Sequence, residues 1–297
     1  MKLNGTPCAR TPARQWIDSL IYADKRVFVI DKPPGLICQP NPNANRQKLN
    51  DFSHLLQSFR REFNLEEEPL PVHRLDKGTT GALVLARSLS TARELSRQFQ
   101  QGIIQKTYLA LVRGGAESFH DQKAGKIRVQ LETDDGHVSS ITSSNRTGGK
   151  PTATDWELLA SSDNAPLSLL RLTLLTGHKH QLRVHAAQCL RTPILGDALY
   201  SKSVISNLIT DRTFVPEGRV FLHASTISME RYRTTGPNKR FGLKIRAPLP
   251  ADFLRACHDL GILVSSEDAR GGLYINGERV EDGKISDVEG KWMGKYK

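Results

Sequence analysis

The feature that most constrains the fold is a succession of short apolar runs, each closed by glycine, proline or asparagine. Val27 to Ile30 forms the second arm of a hairpin spanning Ile21 to Asp31, and Lys32-Pro33-Pro34-Gly35 stops it, because proline cannot donate to a ladder and glycine tolerates a positive φ. Further strands are expected at Ala82 to Ala86, Lys106 to Val112, Thr152 to Leu159, Leu167 to Leu175, Val220 to Ser228 and Phe241 to Arg246. Helical spacing is confined to separate places. Phe52, Leu55, Leu56 and Phe59 share one face, as do Ala92, Leu95 and Phe99 in a segment that starts near Ser90 and stops at Gly102. Leu182, Ala186, Cys189 and Leu190 give the same period within His180 to Leu190, and Gln39 to Asn50 reads as a loop. Many strands with few, scattered helices predict an α+β chain: a mainly antiparallel mixed sheet with flanking helices, not regular βαβ winding.

Charge narrows the partners. The 297 residues include 42 Lys+Arg against 31 Asp+Glu, a net charge of +11, and the surplus lies in the middle of the chain. Ile141 to Pro250 holds 15 basic and 7 acidic residues, whereas Ser265 to Lys297 holds 6 and 7. A basic folded surface suits phosphate backbones, anionic lipids or acidic proteins, and the absence of a long basic amphipathic helix argues against lipid. No run approaches the roughly 18 apolar residues of a membrane span, and the mean hydropathy is −0.41, so no membrane partner is expected. Cys8, Cys38, Cys189 and Cys257 form no Cys-x-x-Cys pair, which argues against a zinc ribbon, a redox dithiol and a secreted disulfide framework. The residues before Asp18 include Lys2, Arg10 and Arg14 and no acid, and read as a short organellar presequence.

The densest polar cluster is His73-Arg74-Leu75-Asp76-Lys77-Gly78-Thr79-Thr80-Gly81, directly before the apolar run at Ala82. Such a loop holds one carboxylate against a rigid sheet, or is simply a capped turn in which Asp76 accepts backbone N–H groups. It is not a kinase catalytic loop, since no glycine-rich loop precedes it, no Asp-Phe-Gly follows, and Leu75 breaks the His-Arg-Asp spacing. Gly149-Lys150 lacks the first glycine of a P-loop, with Ser144 in its place. His178, His180 and His185 do not make a metal set: His180 and His185 lie about 140° apart around a helix, with no acidic or cysteine ligand nearby.

The stretch HRLDKGTTGALVLARS resembles the signature loop of the RluA-type pseudouridine synthases, and four more segments match in the family's order: KPPGL at Lys32, KTYLALVRG at Lys106, TGHKHQLRVH at Thr176, and PILGDALY at Pro193 followed by FLHA at Phe221. The resemblance covers Ile21 to about Phe253. It implies the pseudouridine synthase fold with a central active-site cleft, and isomerisation of uridine in RNA without cofactor or metal. Asp76 matches the family's catalytic aspartate, Arg183 the arginine paired with it, and Tyr108 the tyrosine that stacks on the base and helps remove the C5 proton. Arg74 matches the residue that fills the space of an extruded base. With His73, Lys32 and His180, the latter two read as fold or RNA-backbone contacts, it makes up the expected substrate-binding set. A glycosidase would need a second carboxylate, and none is obvious. His178 departs from the family's usual arginine.

The expected organisation is an N-terminal extension over 1–20, a catalytic domain over 21–253, and a C-terminal extension over 254–297. In that extension Gly271 to Val280 carries an Asn-Gly hairpin signal and resembles part of an S4-type module. The separate N-terminal RNA-binding domain of many relatives is not expected. The expected partner is RNA, with ribosomal RNA favoured over transfer RNA, acted on by a monomer in mitochondria or, alternatively, the cytoplasm. The rival readings are a non-catalytic RNA-binding or ribosome-assembly factor and a base-removing RNA glycosylase.

Overall fold

A computed structural model describes residues 16–38, 51–134, 137–140, 149–233 and 239–294. The described strands are β1 (Leu20–Ala23), β2 (Val27–Lys32), β3 (Leu70–Pro71), β4 (Thr80–Ala86), β5 (Gln105–Arg113), β6 (Ala124–Asp134), β7 (His137–Ser140), β8 (Lys150–Ser161), β9 (Leu167–Leu174), β10 (Leu222–Tyr232), β11 (Arg240–Arg246), β12 (Gly272–Ile275), β13 (Glu278–Arg279), β14 (Lys284–Ile285) and β15 (Gly290–Trp292). The helices are α1 (Asp51–Glu62), α2 (Leu89–Gln100), α3 (Gln181–Val184), α4 (Asn207–Thr210), α5 (Ala251–Asp259) and α6 (Ser266–Arg270). The strands join in one sheet of order β14-β15-β1-β2-β4-β10-β5-β9-β8-β6-β7, with β11 and then β12 and β13 branching from β10. Among the described pairings β4 with β10 is parallel and the rest are antiparallel. The α+β fold expected from the sequence is the fold observed.

The central strands are apolar on both sides because both faces are covered. On β2, Phe28 and Ile30 enter one core while Val27 and Val29 enter another, and on β4 Leu83 and Leu85 oppose Ala82, Val84 and Ala86 in the same way. Helix α1 packs Phe52, Leu55, Leu56 and Phe59 onto the first core, with the Phe28 and Phe59 rings edge to face at 5.2 Å. Helix α2 lays Leu95 on the second, and its N-terminus is capped by the Ser88 hydroxyl, which accepts from the Thr91 N–H.

Three segments depart from expectation. The helical period over His180 to Leu190 yields only the single α-turn of α3, followed by a widened π-type turn over His185–Cys189. The edge hairpin β6–β7 is absent from the expected strands, although Ile127, Val129 and Leu131 alternate with charged residues. Its outer face is wet, so it lacks the continuous apolar run that marks the central strands. At the C-terminal end, the boundary expected at 253/254 falls inside α5, whose Phe253, Ala256 and Cys257 are buried in the first core. The Asn-Gly hairpin forms with φ of 51° at Asn276 and 94° at Gly277, and β12 adds to β11. Strand β15 pairs with β1 through Tyr22 and Trp292. The proposed presequence, apart from its last residues, and the Gln39 to Asn50 loop lie outside the described residues.

The parallel seam of β4 and β10 brings two backbones into close approach. Gly81 has φ of 107°, and a Cβ there would lie 2.4 Å from the Ala224 carbonyl oxygen and 2.7 Å from its nitrogen. Beside it, the buried His223 sits with Nδ1 3.0 Å from the Thr80 hydroxyl and Nε2 3.3 Å from the Ala247 carbonyl, so Nε2 carries the proton. Gly81→Ala is expected to destabilise the protein by at least about 3 kcal/mol, read as a fall in the urea midpoint, because strain and collision act together.

Burial holds His223 and His185 neutral and pushes both down to about 4. An unfolded imidazole binds its proton below about pH 6.5, whereas these two resist until about 4, so their contribution is intact above pH 6.5 and is lost as the pH falls toward 4. The urea midpoint is expected to drop across that window and His223→Gln to flatten part of the slope; a midpoint independent of pH between 7 and 4.5 would contradict this.

Candidate active site

The loop between β3 and β4 carries Asp76, and its shape is set from behind. The Thr79 N–H closes a turn onto the Asp76 carbonyl at 3.1 Å. The Gly35 N–H donates to the Lys77 carbonyl at 2.8 Å, with Gly35 at φ of 87°. Lys32 has a different part from the expected substrate contact: it is fully buried, and its Nζ donates to the carbonyls of Pro33 (2.9 Å), Leu36 (3.0 Å) and Lys77 (3.3 Å). Burial, foremost, lowers its pKa to about 8. It clamps the back of the Asp76 loop and is closed to RNA. Arg219, ion-paired to Asp252 at 2.6 Å, holds the same loop by donating to the Gly78 carbonyl at 3.2 Å.

Asp76 is half-buried between two nitrogen groups. Arg183 Nη1 stands 3.8 Å from Oδ2, and His180 Nε2 stands 4.0 Å from Oδ1. Neither is a close hydrogen bond, so the carboxylate oxygens stay open toward the cleft while feeling the guanidinium charge. Arg183 is held elsewhere: Nε and Nη2 each donate to the buried Asp197 carboxylate at 2.7 Å, a bidentate pair. Asp197 Oδ1 also accepts from the Leu199 and Tyr200 N–H groups at 3.2 and 3.3 Å. His180 Nδ1 meets the Tyr200 hydroxyl at 2.8 Å, and the Tyr200 ring lies 5.1 Å below the Arg183 guanidinium. Burial lowers the His180 pKa although Asp76 pulls the other way, so its imidazole is neutral near pH 7.

A chain of hydrogen bonds ties α3, and with it Arg183, to β8. Gln181 Oε1 accepts from the Thr176 hydroxyl (2.9 Å) and the His178 N–H (3.2 Å), and its Nε2 donates to the Ala153 carbonyl (3.1 Å) and Thr154 Oγ1 (3.0 Å). His185 bridges Thr154 Oγ1 through Nδ1 (3.0 Å) and Thr152 Oγ1 through Nε2 (2.9 Å). Thr152 spends its own proton on the Val129 carbonyl at 2.7 Å, so it accepts from His185 Nε2–H, and Thr154 donates to Nδ1. Of the histidines weighed as metal ligands, His180 and His185 thus have other partners.

The cleft in front of Asp76 encloses about 480 Å³, within the usual range of about 300–1,000 Å³ for ligand sites. His73, Arg74, Asp76, Tyr108, His180 and Arg183 all line it, so the structure brings together every sequence-expected site residue except Lys32. Asp76 is the one carboxylate among the lining residues. Tyr108 is buried on the floor; burial and the nearby Asp76 push its phenol well above the ordinary range, so it keeps its proton. Arg74 is exposed at the rim. His73 Nε2 accepts the Val84 N–H at 2.9 Å and its ring rests on Phe99, with burial and then Lys106 driving its pKa down to about 3. His178 lines the cleft as well. The expected site set omits Asp197, Gln181 and Lys106; Asp197 lies within the PILGDALY match, and Lys106 begins the KTYLALVRG match.

A model of the RNA pseudouridylate synthase family matches residues 26–188. The chain is 33% identical over 238 residues to the ribosomal large subunit pseudouridine synthase C of Rickettsia bellii, covering 80% of this chain and 70% of that one. It is 36% identical over 186 residues to the ribosomal large subunit pseudouridine synthase D of Borreliella burgdorferi, covering 62% of this chain and spanning 55% of that protein. In fold it is similar to the human RNA pseudouridylate synthase domain containing 4, with a TM-score of 0.66 and 24% identity over 86% of this chain and 97% of that one. The matched span takes in the Asp76 loop, the Tyr108 strand and the Arg183 turn that converge on one cleft, and the chain belongs to the RluA-type RNA pseudouridylate synthases, isomerases that convert uridine to pseudouridine within RNA.

Proposed function

We propose that the chain isomerises specific uridines of large-subunit ribosomal RNA, with Asp76 as the catalytic carboxylate acting on a base drawn out of its stack into the cleft. The observation that carries this reading is a single open carboxylate beside an arginine whose own charge is anchored behind it by Asp197. One carboxylate suits rearrangement, since glycoside hydrolysis ordinarily takes two. Whether Asp76 attacks C1′ or takes the C2′ proton, the charged form is the one required, and the Arg183 guanidinium stands 3.8 Å from it.

Extruding a uridine from a helix costs a few kcal/mol. Arg74 at the rim is suited to fill the vacated space, because its planar guanidinium both stacks and meets phosphate. Tyr108 on the floor offers a ring for the base to lie on, and its retained proton favours that stacking role over a free phenolate. The ribosomal assignment rests on the relatives of Rickettsia and Borreliella, whose names specify the large subunit. Transfer RNA is the alternative substrate. The basic, acid-free start of the chain supports a mitochondrial setting over a cytoplasmic one, and the reading takes the enzyme as a monomer.

Pseudouridine mapping of large-subunit ribosomal RNA and transfer RNA, with and without the protein, tests the reading; an identical map defeats it. Asp76→Asn is expected to cut product formation by at least about 10³-fold while the RNA dissociation constant moves less than about threefold. Asp197→Asn is expected to slow single-turnover reaction by about 10- to 100-fold, with RNA binding kept, because Arg183 loses two charge-assisted hydrogen bonds and its fixed direction. Equal loss of rate and of RNA binding in that variant would assign Asp197 to folding alone.

A further inference from the structure

One cation in the cleft has no role in the scheme above. Lys106 precedes Tyr108 by two residues on β5, so the two side chains leave the same face of the strand, and both line the cleft with Asp76. It is half-buried, and among the described residues its ammonium has neither a carboxylate nor a hydrogen-bond acceptor. Its Nζ stands 5.4 Å from the centre of the Phe99 ring. Burial lowers its pKa with no neighbouring carboxylate to oppose the shift. The other half-buried or buried cations of the region have partners: Lys32 three carbonyls, Arg183 the Asp197 carboxylate and Arg219 the Asp252 carboxylate. Gly177 lies close against the ammonium without a side chain between them; a Cβ there would stand 3.3 Å from Nζ.

An unpaired ammonium kept in a cleft lined by Val72, Phe99, Leu174, Leu182 and Leu222 has use for a partner that becomes negative there. We propose that Lys106 is a further catalytic residue, which hydrogen-bonds a carbonyl oxygen of the detached uracil and stabilises its negative charge. This role rests on the uridine-isomerising reading of the cleft. When C1′–N1 breaks, the electron pair leaves with the base and spreads over N1, O2 and O4, while C1′ is satisfied by the Asp76 carboxylate or by loss of the C2′ proton. The Lys106 ammonium keeps its protons throughout. The charge is discharged as C5 bonds to C1′, which releases the Asp76 carboxylate or, on the other route, takes back at C2′ the proton that Asp76 had removed; C5 then gives up its proton and N1 takes one. A phosphate is the less fitting partner, because the exposed Arg74 and Lys179 already stand at the rim where a backbone passes.

The test is single-turnover pseudouridine formation on an unmodified transcript of bacterial large-subunit ribosomal RNA, run beside RNA binding over a salt series. Lys106→Met is expected to lower the rate about 10²-fold with RNA affinity and its salt slope unchanged, and Lys106→Arg to recover part of the loss. Thermal unfolding of Lys106→Met is expected at or above the wild-type midpoint, since a half-buried unpaired charge is removed; if that variant melts early, Lys106→Gln makes the same comparison. A rate within about threefold of wild type overturns the role of Lys106 alone. A loss seen in affinity and salt slope instead of rate also overturns it, and makes the lysine a phosphate clamp. No product from the wild-type enzyme overturns the reading of the cleft, and this role with it.

Discussion

The parallel contact of β4 with β10 at Gly81 and Ala224 is the join on which the cleft depends. The Asp76 loop enters the sheet through β4, Tyr108 stands on β5, and Arg183 follows β9; in sequence these are far apart, but in the sheet order β4-β10-β5-β9 they are near neighbours. Strand β10 pairs with β4 on one side and β5 on the other, so it alone converts the position of the Asp76 loop into a position relative to Tyr108. The parallel pairing is short, His223 with Thr80 and Ala224 with Gly81. It survives because glycine lets the backbones meet and because His223 and Thr80 satisfy each other beside it. A short join with a buried neutral histidine is also the place where acid acts most directly on the geometry of the site.

Around Asp76 the electrostatics are arranged in layers. Arg183 stands 3.8 Å from Asp76 but gives its two best hydrogen bonds to Asp197, so Asp76 has a cation beside it without being occupied by it. His180 contributes a neutral ring, held by Tyr200, that adds a polar edge without a second charge. Behind these, the Gln181–Thr154–His185–Thr152 chain fixes α3 in a single tautomeric arrangement. Protonating His185 at Nδ1 would set two donors against each other at Thr154, so neutrality of the buried histidines belongs to the alignment of Arg183 as well as to stability.

What was legible in the sequence follows from how locally each role is determined. The His73 to Gly81 loop could be read because its residues are contiguous and stand directly before an apolar strand. Tyr108 and Arg183 could be read only through the family resemblance, since a tyrosine on a strand and an arginine in a turn are otherwise unremarkable. Lys32 reads on paper as a fold or RNA-backbone contact without a choice between them, and only the fold brings three carbonyls to its ammonium. Asp197 and Gln181 act through groups distant in their own segments, for which no periodicity or spacing exists. The period over His180 to Leu190 indicated a helix but not the π-type widening that lets His185 span both threonines. The β6–β7 hairpin carries its apolar residues on one face only, and charged neighbours dilute the signal.

The net charge of +11 takes on a more definite meaning once its members are sorted by partner. Arg231 with Asp24, Arg219 with Asp252 and Arg183 with Asp197 are pairs in which the arginine is largely buried, and each cancels in the sum. They lock strands and loops together and leave nothing to attract RNA. The surplus must therefore sit on cations without carboxylates, and desolvation confines these to the surface unless something else receives them. At the rim Arg74 and Lys77 obey that rule. Lys32 escapes it by meeting carbonyls, whereas Lys106 stands half-buried in the cleft without such a set. The basic bias of the chain thus divides into structural pairs, an exposed field for the phosphate backbone, and one cation whose position is intelligible only if the chemistry of the cleft produces an anion beside it.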